Sequence, residues 1–435
     1  MKRSTKTMRL AAVAATSTLV LAACGGGDDG GDDGPAKSKA DGTLTFGSLL
    51  PATGNLAFLG PPEFAGVDLA VQEINEAGGV LGKDVEHVRG DSGGNGPGDP
   101  NIAPEEADKL INADADVIVG AASSGVTKTV INKIMDAGVV EFSPANTSTE
   151  FDNKPYGDDL YFRTAPSDIL QGAVLANLLL EENRGDVAII STDDPYGTTL
   201  VEEVSKNLEA GGSKLSVKPQ FFGSGSDNYD TQVQAIAEST PDSVIVIAFN
   251  ETVDIIPALT SAGVGPDELP TYMVDGNTAE YNDDPDDPKD VSLPSGSLTG
   301  VKGTIPGAEA PDEFRKRLLE VDPKLKDYSY SAESYDATIV SALAAIAADS
   351  DAGDKVAAEI EGVTKDGTEC TTFADCVKML DAGDDIDYNG VSGPIELGST
   401  GSPTAASIGI YEYDKENNIK PVDFISGEIP DPSGG

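Results

Sequence analysis

The 435-residue chain carries 75 acidic and 29 basic residues, a formal net charge of −46. That surplus of acid excludes phosphate-backbone recognition, which needs clustered Lys and Arg, so nucleic acid is not an expected partner. The length suits two domains better than one compact core. A single histidine, His87, excludes multi-histidine metal sites and leaves no convincing Ser-His-Asp base.

The chain opens with Met1-Lys2-Arg3, Lys6 and Arg9, then an apolar run from Leu10 to Ala23. A basic start, a short apolar core and small residues before a cut describe an export signal. The run falls short of the roughly 20 apolar residues that a permanent membrane span needs. Leu21-Ala22-Ala23-Cys24 resembles the bacterial lipobox, in which cleavage leaves an acylated cysteine as the first residue. Cys24 is therefore the expected lipidation site, and residues 1–23 the removed signal. The loss of four bases and no acids would take the net charge to −50. Gly25–Gly42, rich in Gly and Asp, lacks any residue large enough to anchor a core and is expected to be disordered. It would act as a tether with a typical end-to-end distance of about 20–25 Å. The mature protein is thus expected outside the cytoplasm, lipid-anchored to the cell membrane. Cys370 and Cys376, in an exported protein, are expected to pair as a disulfide. Two cysteines without a nearby histidine fall short of zinc's four ligands, so no metal is expected.

From Thr43 onward, strands rich in Val and Ile alternate with amphipathic helices. Leu44–Leu50 is a predicted strand, followed by a Gly-rich turn and a helix carrying Phe64, Val67, Ala70, Val71 and Ile74 at helical spacing, ended by Gly78-Gly79. Val85–Val88 is a short strand in which His87 reads as exposed, and Asp91–Pro100 a Gly/Pro loop. Helices follow at Pro104–Asn112, Val126–Ala137, Asp168–Glu181, Thr198–Ala210, Tyr229–Glu238, Thr252–Ala262, Asp312–Glu320 and Ala332–Ala348. Strands fall at Asp116–Val119, Val139–Phe142, Asp186–Ile190, Lys214–Phe221, Ser243–Phe249 and Thr271–Val274. This pattern predicts parallel sheets covered on both faces, an α/β fold in two lobes. The Asp-rich stretch Asn282–Asp290 lacks the glycine and terminal glutamate of an EF-hand loop and reads as a solvated loop.

In open parallel sheets ligands bind beyond the carboxyl ends of the strands. Those positions hold Ser123-Ser124-Gly125, Ser143-Pro144-Ala145-Asn146-Thr147-Ser148, Asp193–Gly197, Asn250-Glu251 and Asp275-Gly276. A serine at a helix start commonly caps it. A helix N-terminus with added hydroxyls also makes a carboxylate site. Donors at one end and an acid elsewhere are what an α-amino acid requires.

The segments Gly47–Gly60 and Gly66–Gly82, with Ile74-Asn-Glu-Ala-Gly-Gly-Val-Leu-Gly82 as the strongest part, resemble the start of the leucine/isoleucine/valine-binding proteins of branched-chain amino acid ABC transporters. Ile118–Gly125, Phe142–Thr147, Pro195-Tyr196-Gly197 and Ser334-Tyr-Asp-Ala337 extend the likeness over nearly everything after the tether. The resemblance implies the type I periplasmic-binding-protein fold, two Rossmann-like lobes joined by a three-crossover hinge. Residues 43–165 with 305–402 would form lobe I, and 166–304 with 403–430 lobe II. It implies a monomeric, non-catalytic receptor without cofactors that hands a small-molecule ligand to membrane permease subunits. By position, Ser123 or Ser124 and Thr147 would bind the ligand carboxylate and the Ala145 carbonyl would take the ammonium. Tyr196 would close over from the second lobe, Asp275 would pair with the ammonium, and Tyr330 with Phe249 or Asn250 would wall the side-chain pocket. Leu59 stands where the family usually has an aromatic, and Asp275 is shorter than the family's glutamate. A ligand sensor on the same fold, for amides, urea or aromatic acids, is the alternative. An extracytoplasmic hydrolase would need an activated nucleophile that the sequence does not offer.

Overall fold

The central strands are buried along their whole length, as their apolar runs require, and form two mainly parallel sheets with helices packed on their faces. The computed structural model describes residues 40–94, 101–152, 160–282 and 291–430, all within one compact unit. Cys24, the signal and nearly all of the tether, part of the Asp91–Pro100 loop and most of the Asp-rich stretch lie outside the described residues.

The first sheet is built from β1 (Thr45–Leu50), β2 (Glu86–Asp91), β3 (Val117–Gly120), β4 (Val140–Ser143) and β5 (Tyr161–Arg163), all parallel, in the order β2-β1-β3-β4-β5. Helix α1 (Gly60–Glu76) covers one face, and α2 (Ile102–Asn112) and α3 (Ser124–Asp136) the other. The chain then crosses to α4 (Asp168–Glu181), β6 (Asp186–Thr192), α5 (Pro195–Gly211), β7 (Lys214–Leu215), β8 (Gln220–Phe222), α6 (Asp230–Ser239), β9 (Ser243–Ile247), α7 (Thr252–Ser261), β10 (Thr271–Met273) and β11 (Lys302–Pro306). These strands form the parallel part of the second sheet.

The chain returns to the first lobe with α8 (Asp312–Val321), α9 (Ser331–Ala347), α10 (Gly353–Ile360), β12 (Thr368–Cys370), α11 (Phe373–Ala382) and β13 (Ile386–Tyr388). Helix α9, buried along nearly its whole length, packs on α1. A Cβ at Gly66 would lie 2.2 Å from the Ser331 carbonyl, so only glycine permits that approach. A third crossing leads to β14 (Ala405–Tyr413) and β15 (Ile419–Glu428), added antiparallel beyond β11. Cys370 and Cys376 form the expected disulfide, with Cα atoms 5.4 Å apart, in the core beneath α9.

Several elements differ from the sequence reading. Lys214–Phe221 is not one strand: it splits into β7 and β8, two short segments that both pair with β6. Strands β5 and β11 to β15, and helices α10 and α11, were not predicted, being short or only partly buried and so lacking a strong apolar period. His87 is mostly buried rather than exposed, its ring contacting Ser48 Oγ at 2.9 Å and Asp68 Oδ1 at 3.2 Å. Burial pushes the imidazole down to about 4, so it is neutral at physiological pH despite the nearby acid.

Candidate functional site

Strand order decides where a cleft can form. In the first sheet the order reverses between β1 and β3, and in the second between β6 and β9. Loops leaving two such strands diverge to opposite faces and open a crevice between them. The loops after β1 and β3 carry Asn55, Leu59, Ser123 and Ser124; those after β6 and β9 carry Tyr196, Phe249 and Asn250. The two sets meet. Leu56, Leu59, Ala122 and Ala145 of the first lobe share one apolar cluster with Tyr196, Phe249 and Val274 of the second, and with Tyr330. Polar bonds run across the same seam: Asn55 Nδ2 donates to Glu251 Oε1 at 3.0 Å, the Asn250 amide to the Asn55 carbonyl at 3.4 Å, and Ser148 Oγ to the Pro195 carbonyl at 3.2 Å.

Asp275 is the centre of this seam. Its Oδ1 accepts from the Tyr196 hydroxyl at 2.6 Å and from Gln171 Nε2 at 2.8 Å, and its Oδ2 accepts from the Tyr330 hydroxyl at 2.6 Å. The Gly276 amide donates in turn to the Tyr196 oxygen at 3.2 Å. Asn277 fixes the loop, accepting from the Val274 amide and donating to the Val246 carbonyl and to Thr252. Burial raises the Asp275 carboxyl, while the phenols, Gln171 and the Gly276 amide pull it back. The Tyr196 ring stacks on Phe249 with centroids 5.5 Å apart. Pro195-Tyr196-Gly197 opens α5 under an Asp194 cap, and a Cβ at Gly197 would lie 2.2 Å from the Thr192 carbonyl, so glycine seats this turn on β6. Tyr330 reaches Asp275 from the start of α9 with φ of 57°, a left-handed conformation unusual for a tyrosine.

On the opposite wall the groups are uncharged. Ser123 caps α3, accepting from the Val126 amide at 3.4 Å, and Ser124 Oγ accepts from the Ser148 amide at 3.4 Å. Asn146 binds the Ala121 and Ala122 carbonyls through Nδ2 and accepts from the Tyr161 hydroxyl, which locks the Ala145–Ser148 loop beside the α3 N-terminus. Ala145 lies in the shared apolar cluster, whereas Asn250 sits half-buried at its margin.

Sequence reasoning missed Asp168, which looked like an ordinary first-turn acid of α4. It is fully buried, its amide donates to the Thr147 carbonyl at 2.7 Å, and its Oδ2 accepts from Thr199 at 2.9 Å. Burial first, and the neighbouring Asp275 second, push its carboxyl up to about 8. Gln171, one turn further along α4, was missed as well. The signal available was an acid and an amide three residues apart, directly after the Thr164-Ala-Pro-Ser167 crossing. Gln171 Oε1 is buried with no protein partner, and the buried Thr147 hydroxyl has only the Asp168 carboxyl beside it. Buried polar groups are rarely left so. Acceptors of this kind beside Asp275 suit a ligand that brings several N–H donors and a positive charge. Among the described residues no group of His, Cys, Asp and Glu could hold a metal ion.

Two parallel α/β lobes, three crossings and an interlobe cleft at facing switch points define a bilobal ligand receptor. Residues 43–380 match the periplasmic binding protein family, and the chain belongs to it. A leucine-, isoleucine-, valine-, threonine- and alanine-binding protein of Pseudomonas aeruginosa is 32% identical over 181 residues, 41% of this chain and 47% of that protein. The match thus spans about half of that relative's length. A substrate-binding protein of a chemotactic signal transduction system, BasB of Halobacterium salinarum, is 27% identical over 81% of this chain and 83% of its own. Among solved structures, the leucine-binding protein LivK of Thermotoga maritima superposes with a TM-score of 0.69 at 20% identity, covering 88% of this chain and 99% of that one. These relatives are substrate-binding proteins, not enzymes. No helix among the described residues is long and apolar enough to cross a membrane.

Proposed function

We propose that this protein captures an α-amino acid, branched-chain or otherwise aliphatic, between two closing lobes and delivers it to the permease subunits of an ABC importer. The observation that carries this reading is the asymmetry of the cleft. The buried Asp275 stands on the side of the second lobe and the Ser123 and Ser124 hydroxyls with the N-terminus of α3 on that of the first, while the buried Asp168 lies between them, bonded to Thr147 and close enough to Asp275 to feel its charge. A zwitterion matches both walls, with its ammonium toward the acids and its carboxylate toward Ser123, Ser124 and Thr147. An aromatic acid without an amine brings no counter-charge to the two acids, so burial would keep the Asp168 carboxyl protonated and add a further anion beside Asp275. Leu59, Ala145, Phe249 and Tyr330 would enclose an aliphatic side chain. The lobes comprise residues 43–165 with 305–402 and 166–304 with 403–430, and hinge closure follows from ligand contacts that both lobes make. Cys24 carries the lipid, and the Gly/Asp tether keeps the receptor near its transporter.

Calorimetry with leucine, isoleucine, valine, threonine, alanine, benzoate and urea tests the ligand class. Binding by at least one of the amino acids and not by benzoate is expected; no binding by any of them sinks the reading. A second reading, a receptor that signals, is favoured by the similarity to the Halobacterium chemotaxis protein over most of both chains. Deletion of the gene separates the two. Loss of radiolabelled amino acid uptake supports import, whereas loss of chemotaxis with uptake intact supports sensing.

A further inference from the structure

Arg163 ends β5 with a side chain that is wholly buried, a rare and costly placement for an arginine. Its guanidinium is spent in several directions at once. Nη1 donates to the carbonyls of Asn146 at 3.1 Å and Ser148 at 2.9 Å, the two residues flanking Thr147. Nε donates to Ser402 Oγ at 2.8 Å, and Nη2 pairs with Asp152. Asp152 in turn accepts from Ser402 at 3.0 Å and from Ser167 at 2.5 Å. Ser167 caps α4 and immediately precedes Asp168. The Arg163 amide adds a bond of 2.9 Å to the Gly401 carbonyl.

One ion pair therefore grips three segments. It holds the carbonyls on either side of Thr147, the first crossing next to Asp168, and the third crossing at Gly401-Ser402. Thr147 and Asp168, neighbours at the first crossing, hang from the same hub and are joined by the Asp168 amide. A core arginine that served packing alone would not need to bracket a ligand loop in this way. A lysine could replace its charge but not its fork, which has several donors in fixed directions.

We propose that Arg163, with Asp152, is a positioning residue of the ligand site: it holds the Thr147 loop and the Asp168 start of α4 in one arrangement at the first crossing and so presets the site for its ligand. This rests on the amino-acid-binding reading for its affinity arm, but not for its structural arm.

The experiment uses Arg163→Lys in the full mature chain, with Ser402→Ala as a milder second variant that removes one acceptor of Arg163 and one donor to Asp152. Without ligand, hydrogen exchange followed by mass spectrometry should be at least tenfold faster in peptides covering residues 145–170, and unchanged in those covering α9. With leucine, affinity should fall at least tenfold. In a double-mutant cycle with Thr147→Val, the double variant should lose clearly less than the product of the two single losses, because Arg163 acts in part through that loop. A merely structural role would slow or speed exchange everywhere and add its loss to that of Thr147→Val. Wild-type exchange in the 145–170 peptides, wild-type affinity, or fully additive losses in a folded variant would each overturn the proposal. If Arg163→Lys does not fold, Ser402→Ala is read by the same outcomes. If the wild type binds no amino acid, the ligand reading fails on its own, while the exchange comparison still decides the role of Arg163.

Discussion

The two walls of the cleft are made of different chemistry. The wall from the first lobe offers Ser123, Ser124, Thr147 and a helix N-terminus, with no ionised side chain among these groups. The facing wall offers Asp275, with Gln171 and Tyr196 around it, and Asp168 stands between the two, its amide on the Thr147 carbonyl. On the proposed reading neither wall alone would satisfy a zwitterion, so binding strength would depend on both lobes being in contact with the ligand at once. That dependence is what lets a small molecule bias a hinge: its differential affinity for the closed form sets the shift in population. Tyr330 sharpens the contrast, since it immediately precedes α9 of the first lobe yet donates to an acid in the second.

The largest effect should come from breaking the acidic wall. Asp275→Ala strands two phenols and one Gln171 amide in the interior and removes a counter-charge. Truncation of one partner of a buried, hydrogen-bonded charge pair costs about 2–5 kcal/mol, so amino acid affinity should drop at least thirtyfold in calorimetry. Unchanged affinity would remove Asp275 from the site.

Asp168 should make binding depend on pH. Its carboxyl is held up to about 8, so near pH 6 it carries a proton that an ammonium ligand must expel. Affinity for leucine should rise from pH 6 to pH 8, with proton release seen as a buffer-dependent binding enthalpy; Asp168→Asn should bind more weakly and abolish both. Stability should move the other way. A carboxyl raised in the fold binds its proton more tightly there than in the unfolded chain, where the value is about 3.9. The stabilisation is therefore full below about pH 4 and is lost as pH rises through about 8. Glu333, also pushed up to about 8 by burial, acts in the same sense. The melting temperature should fall between pH 6 and pH 9, and less so in Asp168→Asn.

A smaller effect is expected on the uncharged wall. Thr147→Val removes a neutral hydroxyl that lies beside the Asp168 carboxyl. The loss of one neutral hydrogen bond to ligand costs about 1 kcal/mol, roughly a fivefold change in affinity. An affinity loss matching that of Asp275→Ala would erase the proposed contrast between the walls. The smallest effect on binding belongs to the disulfide, which lies in the first lobe's core under α9. The Cys370→Ser, Cys376→Ser double variant should lose about 2 kcal/mol of stability in denaturant titration, the chain-entropy value for so short a loop, with ligand affinity unchanged.

The regular part of the fold was legible because it repeats one physical rule. Val117–Gly120, Asp186–Thr192 and Ser243–Ile247 are apolar on both faces because helices cover both, and such runs are visible in sequence. The caps at Ser123, Ser167, Asp194 and Thr372 mark helix starts by short-range chemistry. Strand β15 was invisible for the opposite reason. It is an edge strand whose residues are largely exposed, and it exists through pairing with β14, a partner the local sequence does not announce. The likeness at Gly47–Gly82 pointed to the family, which the match over residues 43–380 shows.

The candidate site divides along the same line. Strand-end loops named Tyr196, Asn250 and Asp275, because sheet geometry puts such loops at a cleft whatever their partners. Asp168, Gln171 and Arg163 could not be found that way. Each is unremarkable in its own segment and gains its role only from what lies across the chain: Thr147 and Asp275 for the first two, Asn146, Ser148 and Ser402 for the third. Local sequence determines which segments become strands and helices, because hydrophobic period and capping act over a few residues. Which acid sits in solvent and which is buried beside another is decided by tertiary structure alone, because burial and charge are properties of neighbours in space.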